Sequence, residues 1–173
     1  MVQSDPRLVQ EIADVLDRLH AFDVDDAIER GVPQEDPTAE SRHALATVDL
    51  DTDLRRRAEA AIEMLEGRRT IPVVCHRDFR VEHLIIDDNG ALAGLLDLGE
   101  VGVDDPAVDL AFLDGGLGPT VVAEICQAMD TADPGLNAAA RTFHNLWPLL
   151  ELAPGGESCG DPATARSRLD ALI

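Results

Sequence analysis

VVCHRDFRVEHLIIDDNGALAGLLD, residues 73–97, is the stretch that decides the fold. It completes an apolar run, residues 71–75, that predicts a short buried strand interrupted by one proline. A polar loop over residues 76–83 follows. Two further apolar runs then flank Asp88-Asn89-Gly90, and Asn-Gly between apolar runs is the strongest local signal for a β-hairpin.

This hairpin, residues 83–97, has a geometric consequence for the polar residues around it. If residues 89–90 form a two-residue loop, His83 lies opposite Leu96, and Asp97 sits at the same open end. Asp78 is a few loop residues earlier and can fold back toward that end. Two carboxylates and an imidazole therefore converge, which is what phosphoryl transfer needs in order to accept a hydroxyl proton and to hold a metal ion.

The order of these motifs resembles one known family. H-R-D-F-R-V-E-H, a hairpin, L-D-L-G-E and D-D-P-A-V-D-L-A resemble the catalytic core of the aminoglycoside phosphotransferase-like family, small-molecule relatives of the protein kinases. The resemblance implies a mostly α fold with a small β-hairpin (α+β), the protein-kinase-like C-terminal lobe. It implies that Asp78, in the catalytic loop 76–83, is the catalytic base and that Asp97 is a magnesium ligand.

Three further roles follow from the same resemblance. His83 stands where the family has Asn, as it does in macrolide phosphotransferases and some 2″-aminoglycoside phosphotransferases, which implies a second metal position. Because magnesium prefers oxygen to imidazole, His83 acting through a bound water or simply packing stays open. His76 is expected to orient the catalytic loop, and Asp109 to brace the loop backbone.

The resemblance covers nearly the whole chain, but only one lobe of the family. Residues 1–70 hold no strand pattern, no G-x-G-x-x-G and no lysine, so the N-terminal lobe that clamps the nucleotide is expected to be absent. The resemblance implies one domain over residues 1–173 that uses Mg²⁺ and ATP (or GTP) if it is active, with the N-lobe either cut from this chain or supplied as a separate partner chain.

The charge of the chain is strongly negative. There are 34 acidic residues against 14 basic ones, all arginine, and the net charge is −20. A negative field would attract cationic substrates such as aminoglycosides. The acids are nevertheless spread along the whole chain, which favours a general surface adaptation such as solubility at high salt. Nucleic-acid binding is not expected, because no basic stripe could neutralise phosphates.

Three cysteines, Cys75, Cys126 and Cys159, have no paired spacing, and this predicts a reducing, cytoplasmic environment. The first 20 residues carry charges throughout, so no signal peptide is expected. No apolar run reaches the roughly 20 residues of a membrane span, and no membrane role is expected.

Helical periodicity predicts the other elements of the chain. Helices are expected over residues 5–20, 51–65, 120–129 and 136–152, with a short helical turn at residues 38–43. Residues 27–37 are expected to form a loop. Residues 115–119, G-G-L-G-P, are expected to be a linker turn, since they lack the context of a phosphate-binding loop.

Three functions fit these observations. The first is a phosphotransferase lobe that phosphorylates a hydroxyl group of a small molecule such as an aminoglycoside or macrolide. The second is a non-catalytic, pseudokinase-like binding domain, favoured by the missing lobe. The third is a metal-dependent hydrolase with His76, Asp78, His83 and Asp97 as ligands, which the spacing disfavours because it matches no zinc-ligand pattern.

Overall fold

The computed structural model describes residues 5–34, 36–154 and 162–172. The chain divides into two compact units, of which the first holds residues 1–35 and 71–140 and the second holds residues 36–70 and 141–173. Every candidate site residue lies in the first unit. The single domain expected over residues 1–173 stays a prediction.

Helix α1 (Pro6–His20) opens the first unit. The Asp5 carboxylate accepts a hydrogen bond of 2.9 Å from the Arg7 N–H, and Pro6 occupies the first helical position, where no N–H is needed. The helix buries one face spaced at the helical period, made of Val9, Ile12, Ala13, Leu16 and His20. That face packs α1 against α6 (Pro119–Ala128).

Two small antiparallel sheets follow in the same unit. Strand β1 (Val73–Cys75) pairs with β4 (Gly102–Asp104), and β2 (Leu84–Ile86) pairs with β3 (Leu92–Leu95). The predicted strand over residues 71–75 is shorter than expected. Pro72 has no N–H to donate to a ladder, and Ile71 is 83% exposed. Helix α2 (Val24–Glu29), capped by the Asp23 carboxylate, occupies part of the predicted loop.

The hairpin keeps its predicted register at the open end but not at the tip. Leu84 pairs with Leu95, and the Leu96 N–H donates to the His83 carbonyl at 2.9 Å, as expected. At the tip the loop has three residues, 88–90, because the Asp87 N–H bonds the Ala91 carbonyl. Of the two predicted turn positions only Gly90 has a positive φ, 78°. The Asp87 carboxylate stabilises this wider loop by accepting the N–H groups of residues 89 and 91.

Helix α5 (Ala107–Leu117) extends through residues predicted to form a linker. Gly115 and Gly116 are helical, and the chain turns only at Gly118, whose φ is 80°. Glycine weakens a helix by about 1 kcal/mol, yet Gly116 has a packing reason. A Cβ placed on it would lie 2.6 Å from the Val81 side chain, so glycine lets the loop turn at residues 81–83 rest on the helix.

In the described residues of the second unit, the regular secondary structure is all helical. It contains α3 (Pro37–Thr47), α4 (Thr52–Glu66), α8 (Pro148–Leu152) and α9 (Pro162–Asp170), and the division between the units falls within α7 (Leu136–Leu146). The expected turn at residues 38–43 is thus a full helix. The single helix expected over residues 136–152 is wrong, because Pro148 lacks the N–H needed to continue α7 and starts α8 instead.

The predicted fold class, mostly α with a small β-hairpin, is confirmed. Cys75 and Cys126 are buried free thiols, and Cys159 lies outside the described residues. No helix in the described part of the chain has the length and hydropathy of a membrane span.

Candidate active site

Asp109 holds the start of the catalytic loop, residues 76–83, from inside α5. Its Oδ2 accepts the His76 N–H at 3.1 Å, and its Oδ1 accepts the Arg77 N–H at 2.8 Å. The His20 Nε2 lies 3.1 Å from the same Oδ2, and both side chains are almost fully buried. Both carboxylate oxygens are therefore committed, which gives Asp109 the bracing position expected from the sequence.

Arg77 adopts a backbone conformation that few side chains tolerate. Its φ is 64°, in the left-handed region, and the bond from its N–H to Asp109 holds it there. Its side chain crosses β4 at Gly102, where an added Cβ would lie 2.7 Å from the Arg77 Cδ. The guanidinium Nε ends 3.4 Å from the Asp104 Oδ2. The sequence left Arg77 open between a phosphate contact and a salt bridge to an acidic residue, and the structure has the salt bridge.

Asp104 is a buried carboxylate that its surroundings satisfy only in part. Burial raises its pKa from 3.8 to about 7, opposed by the hydrogen bond from the Asp105 N–H and by the Arg77 charge. Asp105 and Asp109 add repulsion in the same direction as burial. The Asp105 side chain accepts the Ala107 N–H at 2.8 Å and so caps the start of α5.

His76 joins the two arms of the site through both ring nitrogens. Its Nε2 is 2.9 Å from the Leu96 carbonyl oxygen, and its Nδ1 is 3.3 Å from the Asp78 backbone nitrogen. A carbonyl only accepts and an N–H only donates, so the hydrogen belongs on Nε2 and the lone pair on Nδ1. This fully buried ring thus fixes the backbone of Asp78 to the residue before Asp97.

Asp78, His83 and Asp97 converge on one small volume. One ligand atom from each lies within 4.8 Å of the other two. The His83 Nδ1 is 3.6 Å from the Asp78 Oδ2, and the His83 Nε2 is 3.9 Å from the Asp97 Oδ2. The structure therefore brings together the base and the two metal positions predicted from the sequence.

Asp97 is much more exposed to solvent than the other two members of this group. The Asp97 side chain is 63% exposed, whereas those of Asp78 and His83 are 22% and 18% exposed. Asp97 is also left-handed, with φ 58° and ψ 68°, and with Arg77 it is one of two non-glycine residues of positive φ in the described ranges. Backbone strain of this kind concentrates at functional sites.

Arg80 is a site residue whose contact the sequence left undecided between phosphate and a carboxylate. Its Nε donates to the Asp78 Oδ1 at 2.5 Å, and its guanidinium lies 5.2 Å from the centre of the Phe112 ring. The ion pair and the stacking fix the Asp78 carboxylate and leave its Oδ2 on the side of His83. No local sequence pattern predicts the contact of Arg80 with Phe112, because Phe112 is on α5, far along the chain.

His20, Cys75 and Asp109 form a second group of possible metal ligands, fully buried. The pKa of the Cys75 thiol is raised well above 9.0 by burial and by the negative charges of Asp109, Asp104 and Asp105, so the thiolate that a metal needs is disfavoured. The Asp109 oxygens are already used. This group is therefore structural. Sequence reasoning placed His20 at a helix end but did not find Asp109 as its partner, 89 positions away.

Comparisons with known proteins give the family of this chain and its fold. The model of the phosphotransferase enzyme family matches residues 2–136. The structure of a macrolide 2′-phosphotransferase type I is 20% identical to this chain with a TM-score of 0.72. The match covers 96% of this chain and 59% of that protein. A GDP complex of aminoglycoside 2′-phosphotransferase-IIIa is 22% identical with a TM-score of 0.74, and the match covers 96% of this chain and 60% of that protein.

A third structure, a choline/ethanolamine kinase family protein from Mesorhizobium loti, is 20% identical with a TM-score of 0.68 and covers 94% of this chain and 60% of its own. The shared fold is thus a kinase-like phosphotransferase fold. The chain belongs to the phosphotransferase enzyme family. It spans about 60% of the length of these solved structures.

Proposed function

We propose that this chain supplies the base and the metal site of a phosphotransferase that moves a phosphoryl group from ATP or GTP to a hydroxyl of a small molecule. The observation that carries the proposal is the convergence of Asp78, His83 and Asp97 within 4.8 Å. Family membership gives the reaction class, and the structure described as a GDP complex supports a nucleotide donor.

Asp78 would act as the general base. The carboxylate accepts the proton as the acceptor oxygen bonds to phosphorus, and the bond from phosphorus to the nucleoside diphosphate breaks. Arg80 binds one Asp78 oxygen and so presents the other toward the site. His83 and Asp97 would hold a divalent ion, Mg²⁺ in the family expectation. When bound, such an ion offsets the charge of the donor phosphates.

The acceptor is proposed as a cationic or polyhydroxylated small molecule, an aminoglycoside, a macrolide or a choline-like alcohol. The names of the three similar structures span these classes. The net charge of −20 would attract a cationic member, but this support is secondary, because the acids are spread along the whole chain.

A nucleotide-clamping lobe would complete the site, either in the same polypeptide or as a separate chain. Positioning supplies most of the rate in phosphoryl transfer, and this chain spans about 60% of its structural relatives. Exposed apolar side chains occur on the hairpin and on the turn after it, namely Ile85, Ile86, Leu96 and Leu98. We propose that this patch packs against the clamping lobe and the nucleotide base.

A transfer assay tests the proposal. The chain, alone and with the product of an adjacent reading frame, is supplied with labelled ATP or GTP and a panel of aminoglycosides, macrolides and choline. Asp78→Asn should lower turnover by about 10²-fold or more, as expected for a general base. Asp88→Asn, the same change at the exposed hairpin tip, is the matched control and should keep full turnover.

The outcomes separate the alternatives. A loss below threefold in Asp78→Asn would remove the base assignment. Nucleotide and metal binding without transfer to any acceptor, in the chain and in the complex, would favour the non-catalytic binding domain. Calorimetry should show that Asp97→Ala abolishes metal-dependent nucleotide binding, and unchanged binding would reject the metal assignment.

A further inference from the structure

The protonation pattern of His83 decides which atom it offers to a metal ion. Its Nδ1 lies 2.8 Å from the backbone carbonyl oxygen of Asp78, and a carbonyl oxygen can only accept. The ring hydrogen of the neutral tautomer therefore belongs on Nδ1. The Nε2 carries the lone pair, as in metal-bound histidines whose other nitrogen donates to a backbone carbonyl.

This lone pair faces a carboxylate oxygen rather than a donor. The His83 Nε2 and the Asp97 Oδ2 are 3.9 Å apart, which is too long for a hydrogen bond. Metal bonds from imidazole or carboxylate are about 2.0–2.2 Å long, so one ion fits between the two atoms. The third member of the group, Asp78, has its Oδ2 on the other side of the ring, 3.6 Å from the His83 Nδ1, and as the proposed base it is not counted as a ligand. The residues present thus fit a divalent cation.

The donor set is mixed, one imidazole nitrogen and carboxylate oxygens, and this bears on the choice of metal. Mg²⁺ takes oxygen ligands in near-ideal octahedral geometry, whereas imidazole suits first-row transition ions. Mn²⁺ takes the same carboxylate and phosphate oxygens as Mg²⁺, and as a first-row transition ion it also binds sites that contain nitrogen. An asparagine at position 83 would present an oxygen, but the histidine here presents nitrogen, held in place by the Asp78 carbonyl.

We propose that this site selects a first-row transition-metal dication such as Mn²⁺ over Mg²⁺, and that the His83 Nε2 is the selecting atom. The inference deepens the proposed function and rests on it for its purpose, since the selected ion is the one that phosphoryl transfer would use. It concerns this chain's own ligands, so direct binding to the chain, without nucleotide or acceptor, measures it.

The test measures Mn²⁺ binding to the purified chain by electron paramagnetic resonance, with Mg²⁺ as competitor. Mn²⁺ should bind at least about tenfold more tightly than Mg²⁺, which corresponds to about 1.4 kcal/mol. Electron spin-echo modulation of the bound Mn²⁺ should show coupling to an imidazole ¹⁴N. Both measurements use the unaltered chain, so they decide the proposal even if a variant folds poorly.

Variants then assign the effect to its atom. His83→Asn exchanges nitrogen for an amide oxygen and should remove the ¹⁴N coupling and bring the Mn²⁺/Mg²⁺ ratio below about threefold. His43→Asn, the same change at an exposed histidine of α3, should leave both unchanged. Melting curves of both variants check folding.

Several results would overturn the inference: equal affinity for the two ions, no ¹⁴N coupling, a ratio unaffected by His83→Asn, or no binding of either ion at millimolar concentration. Failure of the proposed function looks different. A chain that selects Mn²⁺ through His83 but never transfers phosphate would reject the phosphotransferase and keep the metal preference. A chain that binds Mg²⁺ and Mn²⁺ equally, and transfers phosphate equally with either ion, would keep the phosphotransferase and reject the metal preference.

Discussion

Two carboxylate-centred groups lie at opposite ends of the same short loop, and they differ in how their oxygens are used. We call them the bracing group, Asp109 with His20 and the loop N–H groups, and the open group, Asp78, His83 and Asp97. In the bracing group every Asp109 oxygen has a donor within 3.1 Å. In the open group the His83 Nε2 and Asp97 face each other at 3.9 Å without a donor between them.

The difference teaches how to tell a structural acid from a functional one in this fold. Burial alone does not do so, because a buried acid whose oxygens are all hydrogen-bonded stabilises the chain and has nothing left for a ligand. Under the proposed function, the acceptor atoms of His83 and Asp97 that face each other across a gap bind a cation. The predictions that follow test this distinction by removing one acid at a time.

The largest effect should come from Asp109. Asp109→Ala would leave the N–H groups of His76 and Arg77, and the His20 Nε2, buried without an acceptor. We expect the free energy of unfolding to fall by about 3–5 kcal/mol, as when one partner of a buried network is removed. Urea denaturation measures it, and Asp97→Ala, at the exposed acid, should change stability by less than about 1 kcal/mol. Equal losses in the two variants would erase the distinction.

Asp104 sharpens the comparison, because it is as buried as Asp109 but less well satisfied. Its pKa of about 7 lies above the ordinary 3.8, so the native state binds the proton more tightly than the unfolded state. The stability this contributes is present at low pH and is lost as pH rises toward 7. The loss is about 1.4 kcal/mol per pH unit between pH 4 and pH 7.

Asp104→Asn should remove that pH dependence. The asparagine keeps an oxygen for the Asp105 N–H, so the variant should approach the original protein in stability near pH 4 and exceed it by up to about 4 kcal/mol at pH 8. Urea denaturation across this range gives the difference, and carboxyl NMR gives the pKa of Asp104 directly. A difference that does not vary with pH would show that Arg77 satisfies this acid as fully as Asp109 is satisfied.

Gly116 links the two groups mechanically, since it lies on the helix that carries Asp109 and contacts the turn that carries His83. An added Cβ would lie 2.6 Å from both Cγ atoms of Val81. We expect Gly116→Ala to destabilise the chain by about 1–3 kcal/mol by overpacking and to weaken metal binding. The double variant with Val81→Ala should recover much of both.

Gly115→Ala, one position earlier and exposed, serves as the matched control. There the gain in helix propensity should raise stability by up to about 1 kcal/mol. If both alanine variants behave alike, the close contact between α5 and the loop does not position His83.

Local signals in the sequence were enough for the hairpin and for the open group. Asn89-Gly90 between apolar runs set the register that places His83 opposite Leu96, and the family motif placed Asp78 before it. The three-residue loop at the hairpin tip was not predictable, because it depends on the Asp87 carboxylate accepting two backbone N–H groups. Residues 89–90 alone suggested a tighter loop.

The bracing group was harder to read, because its contacts are long-range. His20 meets Asp109 across 89 positions, and Arg80 meets Phe112 through a loop that folds back on α5. Neither contact leaves a spacing that periodicity could detect. The helical state of Gly115 and Gly116 was missed for a related reason, since the packing of Val81 on α5 overrides the low helix propensity of glycine.

The smallest effect should come from Asp97, and its sign separates the two groups most directly. Its φ of 58° is strained for any residue with a Cβ, so Asp97→Gly should leave stability unchanged or raise it by up to about 1 kcal/mol. The same change should abolish Mn²⁺ binding, because the Oδ2 facing His83 is lost. Melting temperature and metal titration on one preparation check both. If the variant loses stability as well as metal binding, Asp97 belongs with the bracing group, because its carboxylate would then stabilise the fold and not only bind a cation.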